Sequence, residues 1–172
     1  MDDKVYITDN FFSSGYTDIK NEQNEKIGYL DLKSVFSSGV TVYDQHTTKL
    51  AEGRFKGFFS SQWIVMNADG VMLGTLKTSW FSFSKKYTYT TSNGDLYNIH
   101  SPAFSREFTI YDEQNHEIAS FRRNNSFFSS SAYELLNHTD KLTMEEFIIV
   151  VMGVNAIEKN KQASAANGRS VN

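Results

Sequence analysis

The chemistry this chain distributes by rule is charge. Eight cations, Lys33, Lys56, Lys77, Lys85, Lys86, Arg106, Arg122 and Arg123, each fall close to an aromatic-serine pair such as Phe59-Ser60 or Phe104-Ser105. The carboxylates Asp44, Asp69, Asp95, Asp112, Glu113 and Glu117 fall about half a repeat away, in polar segments rich in Asn, Asp and Gly. If both sets close the same kind of hairpin array, one end is cationic and the other acidic. A one-sign rim focuses its field and would bind phosphate-bearing headgroups or an acidic protein partner. Trp80, Phe81 and Phe83 beside it would touch an interface. The competing expectation is that charges at strand ends only solvate the sheet and guard its edges.

Catalytic groupings are not apparent. The histidines are His46, His100, His116 and His138, and two of them sit in polar turn segments. No base is placed to activate the serines, which more often cap backbone groups. The chain has no cysteine, so thiol nucleophiles, thiolate metal sites and disulfides are excluded. No phosphate-binding glycine loop, HExxH, GxSxG or EF-hand pattern occurs. We therefore expect no enzyme, no catalytic residue, no metal and no cofactor. A net charge of −3 and a pI near 5.8 argue against nucleic acid as a partner.

Elements that would hold the charges in place are legible from an internal repeat. Phe12, Phe36, Phe59, Phe81, Phe104 and Phe128 each precede serine and recur every 22–24 residues. After most of these corners comes a β-branched and aromatic run such as Val40–Tyr43 or Phe108–Tyr111, then a polar turn, then a returning strand. The return strands carry an aliphatic residue before a small one: Ile27-Gly28, Leu50-Ala51, Leu73-Gly74 and Ile118-Ala119. Alternation from the small residue puts Leu30, Gly53, Leu76 and Phe121 on an apolar face, and Tyr29, Asp31, Glu52, Lys77 and Ser120 on a wet one. Glycine inside a strand marks a close approach, so another element is expected against these small residues.

That element follows the last repeat. Thr143 with Glu146 forms a capping box. Phe147 to Val154 is then apolar on every side, and Phe147, Ile148, Val151 and Val154 are its core candidates. The fold class expected is mainly β: a closed antiparallel barrel of about twelve strands around a buried C-terminal helix. Residues 1–161 would form one domain, with strands over about 5–137 and the helix over about 143–160. Residues 162–172, small and polar, are expected to be a disordered tail.

The Phe-Ser-Ser corners, Val40-Thr-Val-Tyr-Asp44, Phe108-Thr-Ile-Tyr-Asp112 and the helix from Thr143 to Lys159 resemble the tubby C-terminal-like superfamily. That group includes tubby domains, phospholipid scramblases, LURP-one-related proteins and small bacterial members. The resemblance implies a twelve-stranded barrel around a hydrophobic helix, and a binding or scaffold role at anionic phospholipid. No lipid-binding motif, scramblase calcium segment or C-terminal span aligns, so no site residue is carried over from it. The alternative function is a carrier using the barrel lumen for a small molecule or lipid, or a role the sequence leaves unassigned. The acidic start and the absence of a long apolar run point to a cytoplasmic monomer, peripheral to a membrane if it meets one.

Overall fold

In the computed structural model, residues 1, 3–8, 15–32, 39–57, 60–78, 85–102, 105–125 and 132–167 are described. The six corner phenylalanines, Lys33 and the Trp80-Phe81-Phe83 group lie outside them. Twelve strands run in order: β1 (Lys4–Thr8), β2 (Tyr16–Lys20), β3 (Lys26–Asp31), β4 (Val40–Asp44), β5 (Lys49–Phe55), β6 (Trp63–Asn67), β7 (Met72–Thr78), β8 (Lys85–Thr91), β9 (Leu96–Ser101), β10 (Phe108–Tyr111), β11 (Glu117–Asn124) and β12 (Ala132–Asn137). A single helix, α1 (Met144–Asn167), follows. Each strand pairs antiparallel with its neighbours in sequence, and β1 pairs with β12, so the sheet is a closed up-and-down barrel. The connections after odd-numbered strands therefore share one end of the barrel, and those after even-numbered strands share the other. We call these the corner end and the turn end.

Five hairpins at the turn end use one local design. In each, the residue closing the strand (Asn21, Asp44, Asn67, Thr91 or Asp112) exchanges backbone hydrogen bonds with residues three and four positions on. Its own side-chain oxygen accepts the backbone amide four residues on, at 2.8–3.0 Å. The fourth residue of each turn has positive φ: Asn24, Thr47, Gly70, Gly94 and Asn115. Gly and Asn suit that backbone, whereas a β-branched residue resists it. Thr47, at φ 65°, is thus the strained member. Thr47→Gly is expected to stabilise the protein by about 1 kcal/mol, a rise of about 2–4 °C in melting temperature. An unchanged or lower melting temperature would show that the turn stores no strain.

The aliphatic-small pairs have a different origin from the one simple alternation suggests. Val42 pairs with Ala51 and Tyr43 with Lys49, which skips Leu50. Ile27, Leu73 and Ile118 are skipped in the same way. Each is a β-bulge, where two residues oppose one and the strand coils more tightly. The extra residue turns toward the core beside its small neighbour: Ile118 is buried, and Ile27, Leu50 and Leu73 are half-buried against the core. Asp31 and Ser120, assigned by alternation to the wet face, are buried as well. Ser120 is short and lies between its register partners Thr109 and Leu136; Asp31 pairs with Tyr16.

The lumen is filled unevenly. α1 packs chiefly on β4, β5, β6 and β7, and there the wall is thinned. A Cβ on Gly53 would stand 2.4 Å from Ile149 of the helix and 2.5 Å from the Trp63 indole. Trp63 is fully buried between Gly53 and Gly153, and its Nε1 has no hydrogen-bond partner among the described residues. The opposite wall is thickened by aromatics: Phe108 stacks on Phe121 and Phe121 on Tyr133, with centroids 6.0 and 4.8 Å apart. The expectation that one element packs on all the small residues needs correction. A Cβ on Gly74 would meet the Tyr89 ring, and one on Gly28 the Tyr43 carbonyl, rather than α1.

α1 starts where the capping box placed it. Glu146 N donates to Thr143 Oγ1 at 3.2 Å, and Phe147 N to the Thr143 carbonyl at 3.1 Å. Phe147, Ile148, Val151 and Val154 are at most 1 % exposed. The expected end near residue 160 is corrected: residues 162–167, read as disordered tail, continue the helix to Asn167. Gln162, Ala163 and Ala166 are strong helix formers, and no Gly or Pro interrupts them. A helix of 24 residues is about 36 Å long, whereas an eight-residue strand spans about 27 Å. The chain enters the helix at the turn end, so its exposed last turns emerge at the corner end.

Candidate functional site: the cationic corner end

Closure of the meander decides where the charges go. Lys56 follows β5, Lys77 lies in the last turnless stretch of β7, Lys86 near the start of β8, Arg106 between β9 and β10, and Arg122 and Arg123 toward the end of β11. All six are exposed. Lys85 opens β8 at the same end. They form an arc over β5–β11 rather than a tight cluster. Register tightens part of it: Lys86 pairs with His100, and His100 with Thr109.

Carboxylates interleave with this arc. Arg122 is held by Glu117 at 3.2 Å, across the outer face of β11, and is the register partner of Glu134. Glu107 accepts the Arg123 backbone amide at 3.1 Å. His100, half-buried beside Tyr111, is held below the usual histidine range, first by burial and then by Lys86. Imidazole there is neutral at pH 7 and adds no charge to the rim. No group of three or more potential metal ligands occurs among the described residues.

At the turn end, several carboxylates have backbone work. Asp44 is pushed below the usual range chiefly by the Thr48 amide, and Asp112 chiefly by the His116 amide. A small open cleft of about 90 Å³ lies there between Tyr97, Asp95, Asp112 and Glu113. The acidic end is thus partly an outcome of turn design.

Two residues belong with the cations although sequence reasoning left them out. Lys159 and Lys161 were read as charges near the helix terminus. Because α1 runs past residue 160, they stand where it leaves the barrel. Lys159 is half-buried, and its ammonium is disfavoured first by burial and then by the nearby positive Arg106. Lys161 Nζ lies 5.6 Å from the Tyr87 ring centroid and 3.8 Å from Glu158. Comparing helix length with strand length is the signal that finds them. Two tyrosines of β8 fasten the helix from the side: Tyr87 donates to Glu158, and Tyr89 to Glu146 at 2.5 Å. Burial raises both phenols and the Glu146 carboxyl above their ordinary values.

Comparison with known proteins fits this architecture. The family model for LURP-one-related proteins matches residues 4–144, from the first residue of β1 to the first of α1. The chain belongs to the LURP-one-related family. No curated protein matches it. An X-ray structure of a protein from Arabidopsis thaliana superposes with a TM-score of 0.57, covering 92% of this chain and 90% of that one at 12% identity. At that identity the likeness is one of fold. Among LURP-one-related features, the closed barrel is matched in full, and the helix that fills it follows the matched span. No helix among the described residues is long and apolar enough to cross a membrane.

Proposed function

We propose that this LURP-one-related barrel is a non-enzymatic binding module that engages an anionic phospholipid surface through its corner end. The observation that supports the reading is topological: a closed meander gathers Lys56, Lys77, Lys86, Arg106, Arg122 and Arg123 at one end, on several strands. Surface cations gain about 1 kcal/mol each near an anionic leaflet, so an arc of six supplies reversible, salt-sensitive binding. The lumen carrier reading gains no support, because α1 occupies that space and Phe147–Met152 are each at most 3 % exposed.

Flotation with vesicles of phosphatidylcholine and phosphatidylserine tests it. Binding is expected at low salt, lost at high salt, and lost on combined Lys85→Glu, Lys86→Glu, Arg122→Glu and Arg123→Glu. Absence of flotation at low salt would overturn the lipid reading. Pull-down of an acidic protein with vesicles ignored would transfer the same rim to a protein partner.

A further inference from the structure

The exit of α1 from the barrel holds two donors that nothing satisfies among the described residues: Asn155 Nδ2 and Thr78 Oγ1, both buried. Buried polar atoms are nearly always paired, so each orphan asks for a partner. The two lie on either side of one contact. Thr78 ends β7 and is the register partner of Tyr87. Tyr87 donates to Glu158, which is three residues after Asn155 on the helix. Lys159 follows Asn155 by four residues and so shares its face of α1.

The charges there are unbalanced in one direction. Lys159 is half-buried within the field of Arg106, and Lys161 stands beside Tyr87. Glu158 offsets one of these three cations. Like charges held together at a half-buried mouth are stabilised by an anion between them. The donors also come from separate elements: an amide and an ammonium from α1, a hydroxyl from β7 and a guanidinium from the β9–β10 connection. Donors converging from several directions suit a tetrahedral oxyanion better than the two oxygens of a carboxylate.

We propose that the helix exit is a binding site for a phosphate monoester, with Asn155 and Thr78 donating to its oxygens and Lys159 and Arg106 carrying its charge. The proposal deepens the rim reading and rests on the same cationic end, but it adds a built site to a diffuse attraction. A terminal phosphate of this kind is found on a lipid headgroup or on a soluble ligand, and the two sources are separable.

In the first arm, vesicles carry phosphatidic acid, a monoester, or phosphatidylglycerol, a diester, at equal mole fraction. The site predicts tighter binding to phosphatidic acid by about tenfold, a difference of about 1.4 kcal/mol. Asn155→Leu and Lys159→Gln should each abolish the preference while binding to phosphatidylglycerol persists. Asn155→Leu removes an unpaired donor, so its thermal melt should not fall, which separates loss of site from loss of fold. In the second arm, inorganic phosphate is titrated into the full chain and the Asn155 side-chain amide is followed by NMR. A saturable shift, with no lipid binding in the first arm, supports a soluble ligand and overturns the rim reading alone. Equal binding to both lipids together with a stationary Asn155 amide overturns the site and leaves the rim reading standing. A preference that survives Asn155→Leu and Lys159→Gln also overturns it.

Discussion

Val151→Asp leaves no folded protein at neutral pH. Val151 lies in the middle of the buried stretch of α1 and is 1 % exposed. No cation is printed beside it, and its neighbours in the core are aliphatic and aromatic. Keeping an aspartate neutral at pH 7, about three units above its ordinary pKa, costs about 4 kcal/mol. Losing the valine's burial costs about 1.5–3 kcal/mol more. The neutral carboxyl still lacks a partner, at about 1–3 kcal/mol. The total, on the order of 7–10 kcal/mol, rivals the whole stability of a typical domain, about 5–15 kcal/mol. Far-UV circular dichroism and methyl NMR dispersion read the outcome. Gln162→Asp, the same change at an exposed site on the same helix, should leave both unchanged. A dispersed, monomeric Val151→Asp spectrum would show that the helix does not organise the barrel.

The second large effect reverses an ordinary rule. Glycine inside a helix is normally improved by any side chain that favours helix, by up to about 1 kcal/mol. At Gly153 a Cβ would stand 2.5 Å from Trp63 Cδ1 and 2.8 Å from Cγ. The indole has no room to retreat, because its other side rests on Gly53. Gly153→Val is therefore expected to destabilise by about 3 kcal/mol or more through overpacking, a fall of about 6–12 °C in melting temperature. Trp63→Leu should absorb most of that cost, so the double variant melts above the value expected from adding the two single effects. Additive losses would show that the helix and Trp63 are not in contact.

Much of the fold was open to reading because two signals are local. Corner spacing marked a two-strand unit, and polar turns such as Asn67–Gly70 have few backbone solutions. The helix declared itself through Thr143, Glu146 and an apolar run with no wet face. Other features depend on more distant partners. The bulges at Ile27, Leu50, Leu73 and Ile118 look like ordinary alternation until the opposite strand shows a residue skipped. The off-axis seat of α1 depends on Gly53 meeting Trp63, residues ten apart in sequence but joined by register. The length of the helix past Lys159 was hidden by a polar sequence that resembles a tail, although its alanines and glutamine favour helix. For the candidate site, cations were placed at one end by topology alone. Which of them come close, as Arg106 and Lys159 do, is set by where the helix surfaces.

The pairing of β1 with β12 also constrains how the chain is born. The first strand made must wait for the last one before the ring can shut, and the segment that fills the ring is made later still. During synthesis the curled sheet therefore carries an apolar inner surface and two unpaired edges, which invite other chains to add to them. The ring matures only once the final helix has left the ribosome, through contacts spanning nearly the whole sequence, which makes the last step slow. Truncation inside α1 produces an open, adhesive sheet instead of a shorter barrel.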